Sequence, residues 1–192
     1  MANDPVKFYF AYNSPYAFLA NTRIVEALVP TGVAIEYKPV GKPRPGGAPD
    51  VKSPRIRYFR EDVGRFARAY AIPLNPGPFA NSIMACRGFF FAGEHGEGLT
   101  YHNRIFAARW LEEGDIGDQA MLTGIATSIG LDGDAFAAAL EDGSPQAAAL
   151  EQSNADAEAD GLFGFPFFVY GDHHFWGNDR IEWLVETIEA GD

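Results

Sequence analysis

A single cysteine, Cys86, stands among 192 residues, so no internal disulfide can form. A reducing, cytoplasmic setting is expected. No apolar run approaches the roughly 18 residues that a membrane span requires. The stretch from Met1 to Lys7 has no cationic region followed by an apolar one, and no signal peptide is expected there. Positive charge is scarce: 15 Lys and Arg face 26 Asp and Glu, for a net charge of −11. That balance argues against nucleic acid and anionic membranes as general partners. Metal-ligand spacing is also missing. His173 and His174 are neighbours in a strand pattern and point to opposite faces. His95 and His102 lie far off, in a Gly-rich loop and at a helix start, and no Cys or carboxylate pair completes a ligand set. All four are read as ordinary polar histidines, and no metal is expected. No Gly-rich phosphate loop follows a strand, because Gly41 to Gly47 has prolines and no helix behind it. Cys86, within Ile83-Met84-Ala85-Cys86, reads as a small buried residue.

Hydrophobic residues make up 47% of the chain and aromatics 14%, enough for one sizeable domain or two closely joined ones. The charge is uneven. Residues 38–68 hold nine of the fifteen basic residues against three acidic ones, a local +6, and the remainder carries −17. Such a segment is either a local anion site or a charged helix face paired with acids elsewhere.

Val6 to Tyr12 reads as a strand, followed by a helix from Pro15 to about Val29 and a second strand in which Val33, Ile35 and Tyr37 alternate with polar residues. Strand, helix, strand suggests a parallel pair. Lys42 to Pro54, with its four prolines, reads as a loop. Helical patterns then cover 58–70, 81–92, 101–111, 118–129, 132–140 and 145–160, with Asp118 and Asp132 placed as N-caps. Strand character returns at 165–170. Gly171-Asp172 makes a hairpin turn into 173–176, and a final helix runs from Arg180 to Ala190.

Two places carry more than packing. Ser14-Pro15 sits between the first strand and its helix, where serine suits the N-cap and proline the first helical position. A hydroxyl there stands where unpaired amides and the helix dipole favour negative charge, so Ser14 is a cap alone or a cap with a second duty. Pro166 opens an apolar run, which is tolerated in trans at a strand's first residue or marks a cis bond.

Asn13-Ser14-Pro15-Tyr16, Gly164-Phe165-Pro166 and Phe175-Trp176-Gly177-Asn178-Asp179-Arg180 together resemble one family. It comprises the glutathione-dependent 2-hydroxychromene-2-carboxylate isomerases and the similar kappa-class glutathione transferases, which are related to bacterial disulfide oxidoreductases. The likeness covers nearly the whole chain. It implies an α/β, thioredoxin-like fold (βαβ…ββα) with a large all-helical insertion, divided as 1–50 with 153–192 and 51–152. It implies that Ser14 is the active residue, its hydroxyl on the sulfur of glutathione or another low-molecular-weight thiol, with Tyr16 lining that pocket. Pro166 matches a cis-proline, Phe165 would pair its backbone with the cysteinyl part, and Asn178 with Asp179 would hold the γ-glutamyl end. Arg55 falls where the family usually has a lysine that meets the glycyl carboxylate or the substrate's anion.

Two departures concern the substrate. Gly41 stands where the family often has asparagine, and an Arg-for-Lys change keeps charge but alters geometry. The implied activity is isomerisation of a small aromatic carboxylate. A transferase of kappa type and a non-catalytic thiol or anionic-metabolite binder are the alternatives, and a disulfide oxidoreductase is disfavoured because no cysteine opens the helix. A homodimer is expected on the same resemblance.

Overall fold

The computed structural model describes residues 4–42 and 52–191. Two compact units divide the chain, Met1–Val40 with Glu151–Asp192 and Gly41–Leu150. The expected boundaries at 50/51 and 152/153 thus stand beside observed divisions at 40/41 and 150/151. Residues 43–51 of the expected loop lie outside the described residues.

The first unit is a four-stranded sheet in the order β2-β1-β3-β4. Its strands are β1 (Val6–Phe10), β2 (Ile35–Pro39), β3 (Phe167–Tyr170) and β4 (His173–Trp176). β1 runs parallel to β2 and antiparallel to β3, and β3 and β4 form the hairpin. Helix α1 (Pro15–Leu28) crosses over between β1 and β2, and α8 (Ile181–Ala190) packs on α1. β1 ends at Phe10, two residues earlier than its apolar run suggests, because its partners end there: Phe10 pairs with Pro39, and Val40 N–H donates to the Phe10 carbonyl. Alternation sorts the aromatics onto two faces. Phe8 stacks on Phe168 at 5.0 Å on one face. Tyr9, Phe167 and Val169 pack with Val40 and Ala157 on the other.

The last turns of α7 (Pro145–Ala159) are pinned to this second face. Asp156 accepts a salt bridge from Lys38 at 3.0 Å. Asp160, just past the helix, accepts from Lys7 Nζ at 2.8 Å and from the Tyr9 hydroxyl at 2.6 Å. Burial disfavours the Asp160 charge, but the bonds from Lys7 and Tyr9 outweigh it and hold the carboxyl below its usual range.

The second unit is helical: α2 (Pro54–Ala69), α3 (Ile83–Glu94), α4 (Gly98–Leu111), α5 (Gln119–Ser128) and α6 (Gly133–Ala139), with the start of α7. Helices α3 to α6 pack on one another, and α2 stands outside that packing. Asp118 and Asp132 cap α5 and α6 as expected. Phe136 lies fully buried, 5.6 Å from both Phe91 and Tyr101. One histidine reading is corrected. α4 begins at Gly98 rather than 101, which turns His102 inward, fully buried and edge-on to Phe106 at 4.9 Å. Burial pushes its pKa down to about 3, so the ring is neutral. Among the described residues no helix is long and apolar enough to cross a membrane.

Candidate functional site

Chain direction places three separate segments at one edge of the sheet. β1 ends where β3 begins, since the two are antiparallel with Tyr9 opposite Phe167, and β4 ends there too, with Trp176 opposite Phe167. The turn after β1, the residues before β3 and those after β4 must therefore meet.

Ser14 closes the turn after β1, its N–H donating to the Ala11 carbonyl at 2.9 Å. Its extended backbone (φ −93°, ψ 114°) and Pro15 at the next position open α1. The two halves of its hydroxyl have different duties. The oxygen accepts from Ala17 N–H at 3.2 Å, which is the cap. The proton has only a contact of 3.5 Å to the Phe165 carbonyl, long for a hydroxyl donor. Ser14 is therefore a donor whose proton is poorly engaged, at a helix N-terminus that favours an anion. Tyr16 lies half-buried in the first turn of α1.

Phe165-Pro166 is a cis peptide. Phe165 is partly buried against the Tyr9 and Phe167 cluster, and Pro166 is buried. The Pro166 carbonyl accepts from Gly177 N–H at 3.1 Å, which binds the segment before β3 to the segment after β4. Gly177 has φ 118°, and a Cβ there would meet an Asp179 carboxylate oxygen at 2.6 Å. Glycine is needed. Gly164 is constrained from outside, because a Cβ on it would lie 2.5 Å from the Trp176 indole nitrogen. Trp176 in turn packs edge-on to the exposed Phe163 at 4.9 Å.

Asn178 and Asp179 lead into α8, whose first turn has no side-chain cap. Asn178 is buried, and its side-chain carbonyl oxygen has no hydrogen-bond donor. Its backbone carbonyl accepts from Arg23 on α1 at 3.3 Å, and Arg23 also pairs with Glu182 on α8. Asp179 is exposed and bonded to Arg180 at 2.6 Å. The first unit thus brings together Ser14, Phe165, Pro166, Asn178 and Asp179. Arg55 belongs to the second unit, exposed in the first turn of α2, and is outside this set. Arg23 and Gly177 are the positioning residues that sequence reasoning did not single out. Gly177 carries a signal, a glycine between a strand and a helix start; Arg23 carries none, since its partner lies 155 residues away.

A donor set of this kind can hold an anionic sulfur at Ser14. The orphaned Asn178 oxygen and the Asp179 carboxylate suit the ammonium of a ligand at the start of α8. Cys86, the chain's one thiol, is no substitute: it is buried in the second unit, and desolvation pushes it up to about 12.

Comparison with known proteins agrees with this architecture. A DSBA-like thioredoxin domain matches residues 5–189. The 2-hydroxychromene-2-carboxylate isomerase of Pseudomonas putida is 31% identical over 95% of this chain and 93% of its own. The protein of the same name from Sphingobium xenophagum is 29% identical over 95% and 97%. A solved 2-hydroxychromene-2-carboxylate isomerase superposes with a TM-score of 0.83 at 26% identity, over 96% of this chain and 94% of that one. Relatives named isomerases over almost their full length indicate an enzyme. With both units inside the matched span, the chain belongs to the DSBA-like thioredoxin family and is a relative of the 2-hydroxychromene-2-carboxylate isomerases.

Proposed function

We propose that this protein is a glutathione-dependent isomerase of the 2-hydroxychromene-2-carboxylate type. The observation that carries the reading is the Ser14 hydroxyl. Its oxygen is committed to Ala17 N–H while its proton makes only a 3.5 Å contact, at the edge of the sheet where Phe165, Pro166 and Asn178 gather. No cysteine stands at this helix start, so the sulfur comes from outside the chain.

Bound there, glutathione supplies a thiol that adds reversibly to the conjugated enone of a ring-opened aromatic carboxylate and departs after the former double bond has turned. Ser14 donates its proton to the sulfur and stabilises the charged form. A free thiol has a pKa of about 8.5. A hydrogen bond to a charged atom contributes about 1.5–3 kcal/mol, and the helix N-terminus about 0.5–1 kcal/mol. At about 1.36 kcal/mol per unit, the pKa falls by about 1.5–3 units, enough for a thiolate near neutral pH. Tyr16 lines the thiol pocket, the Phe165 backbone and Pro166 align the cysteinyl part, and Asn178 with Asp179 take the γ-glutamyl end. Arg55 meets a carboxylate, of the glycyl end or of the substrate.

The test mixes purified protein, glutathione and 2-hydroxychromene-2-carboxylate and follows the ultraviolet spectrum. A spectral change that needs both protein and thiol is expected. An unchanged spectrum together with turnover of a chlorinated aromatic refutes the isomerase reading in favour of a transferase.

A further inference from the structure

The strand that leads to Ser14 and the segment that leads to Phe165 are tied together by one oxygen atom. Asp160 Oδ2 accepts from Lys7 Nζ at 2.8 Å and from the Tyr9 hydroxyl at 2.6 Å. Tyr9 stands five residues before Ser14, and Asp160 stands five before Phe165. Bonds to a charged acceptor are the strong kind, and here both donors converge on the same carboxylate oxygen. Burial, together with the bond to Asp160, pushes the Tyr9 phenol well above its usual range, so it stays a donor.

Little else anchors the segment between Asp160 and Pro166. Leu162 N–H donates to the Ala157 carbonyl at 2.9 Å and closes the end of α7. Among the described residues, the N–H groups of Phe163, Gly164 and Phe165 make no backbone hydrogen bond. Phe163 is exposed and adds no burial. Leu162 and Phe165 pack against the cluster that contains Tyr9. The buried Tyr9 ring thus supports the apolar side of the segment, while its hydroxyl holds the polar start through Asp160.

Resting on the glutathione reading above, we infer that Asp160 is a positioning residue for the thiol, fixing the Phe165 backbone relative to the Ser14 turn through Tyr9 and Lys7. Asp160 itself touches neither the sulfur nor the tripeptide. The Phe165 backbone engages the cysteinyl part in the ground state and the transition state alike, so displacing it weakens binding uniformly. KM for the thiol then rises while kcat at saturating thiol holds. A neighbouring bridge supplies the comparison. Asp156, one turn earlier on α7, pairs with Lys38 at 3.0 Å, and Lys38 lies on β2, which carries none of the site.

Titration calorimetry with glutathione and steady-state isomerisation rates compare the wild type with three variants. Asp160→Ala should weaken affinity about tenfold, raise KM by the same factor and leave kcat within about twofold. Tyr9→Phe keeps the ring, removes one of the two bonds and should weaken affinity about threefold. Asp156→Ala should lower the melting temperature yet leave affinity and KM within about twofold. Wild-type affinity in Asp160→Ala overturns the inference and leaves the glutathione reading in place. An equal loss in Asp156→Ala also overturns it, because the effect is then general destabilisation. If circular dichroism shows Asp160→Ala unfolded, Tyr9→Phe decides, and unchanged affinity there overturns the inference. A wild type that binds no glutathione overturns both.

Discussion

Replacing Ser14 with alanine removes two interactions that can be measured apart. The first is the cap, the 3.2 Å bond from Ala17 N–H, whose loss costs about 1 kcal/mol. In a chain of this size that lowers the melting temperature by about 2–4 °C. The second is the proton offered to the bound sulfur. Losing a bond of about 1.5–3 kcal/mol to a charged atom raises the pKa of the bound thiol by about 1–2 units. At pH 7 a bound thiol shifted from about 5.5–7 to about 8 goes from mostly ionised to about one-tenth ionised, so turnover falls about 5- to 10-fold. Glutathione binding should stay within about tenfold, because the contacts proposed for its γ-glutamyl and cysteinyl parts lie elsewhere. Ser14→Asp separates the two effects: aspartate is an equally good cap, so stability returns, yet it offers no proton and repels a thiolate, so activity does not. The assay is the initial isomerisation rate against pH, with calorimetry for thiol binding and thermal melts for the cap. The reasoning fails if Ser14→Ala keeps wild-type turnover with its alkaline limb unmoved, or if Ser14→Asp is active.

Three further outcomes are expected. His102, neutral when folded down to about pH 3, should make the protein sensitive to acid. Below about 6.5 the unfolded state takes up a proton that the folded state refuses, so stability falls with pH by up to about 1.36 kcal/mol per unit. Urea melts from pH 7 to 4 should be flatter for His102→Gln, and an equal slope would count against the buried neutral ring. Cys86, pushed up to about 12 by burial, should resist a thiol reagent in the native protein and react once urea unfolds it; rapid native labelling contradicts its placement. Gly177→Ala places a Cβ 2.6 Å from an Asp179 oxygen at φ 118°, for a cost of about 1–3 kcal/mol. Glutathione affinity should weaken with it, as titration calorimetry would register, and an unchanged affinity would detach that loop from the site.

Local grammar carried much of the fold. The Ser14-Pro15 start of α1, the Asp118 and Asp132 caps and the Gly171-Asp172 hairpin all follow from residue chemistry, and each is where it was expected. Ser53-Pro54 has the same form as Ser14-Pro15 and caps α2 in the same way, with Ile56 N–H donating to the Ser53 hydroxyl at 3.2 Å. The prolines around it read as breakers and give a loop, although proline at a first helical position is a starter. α4 started three residues early for a related reason, since Gly98 is tolerated in a first turn. The site was legible as three motifs at strand ends. How they hold one another was not, because the Pro166 to Gly177 bond and the Arg23 to Asn178 bond depend on the sheet order. Nothing within a few residues of any motif encodes that order.

The sheet order also governs when the site can come into being during synthesis. Of the four described strands β1 is made first, yet it lies between β2 and β3, and β3 begins only at Phe167. Until then Ser14 faces no Phe165 carbonyl, and the residues from Gly177 to Asp179 follow later still. The intervening α3 to α6 have their own buried core and are complete long before. A nascent chain halted near residue 160 should therefore be largely helical and protease-resistant in its middle while β1, paired with β2 on one side, awaits β3 on the other. The candidate site is therefore assembled only after Gly177 to Asp179 have been made.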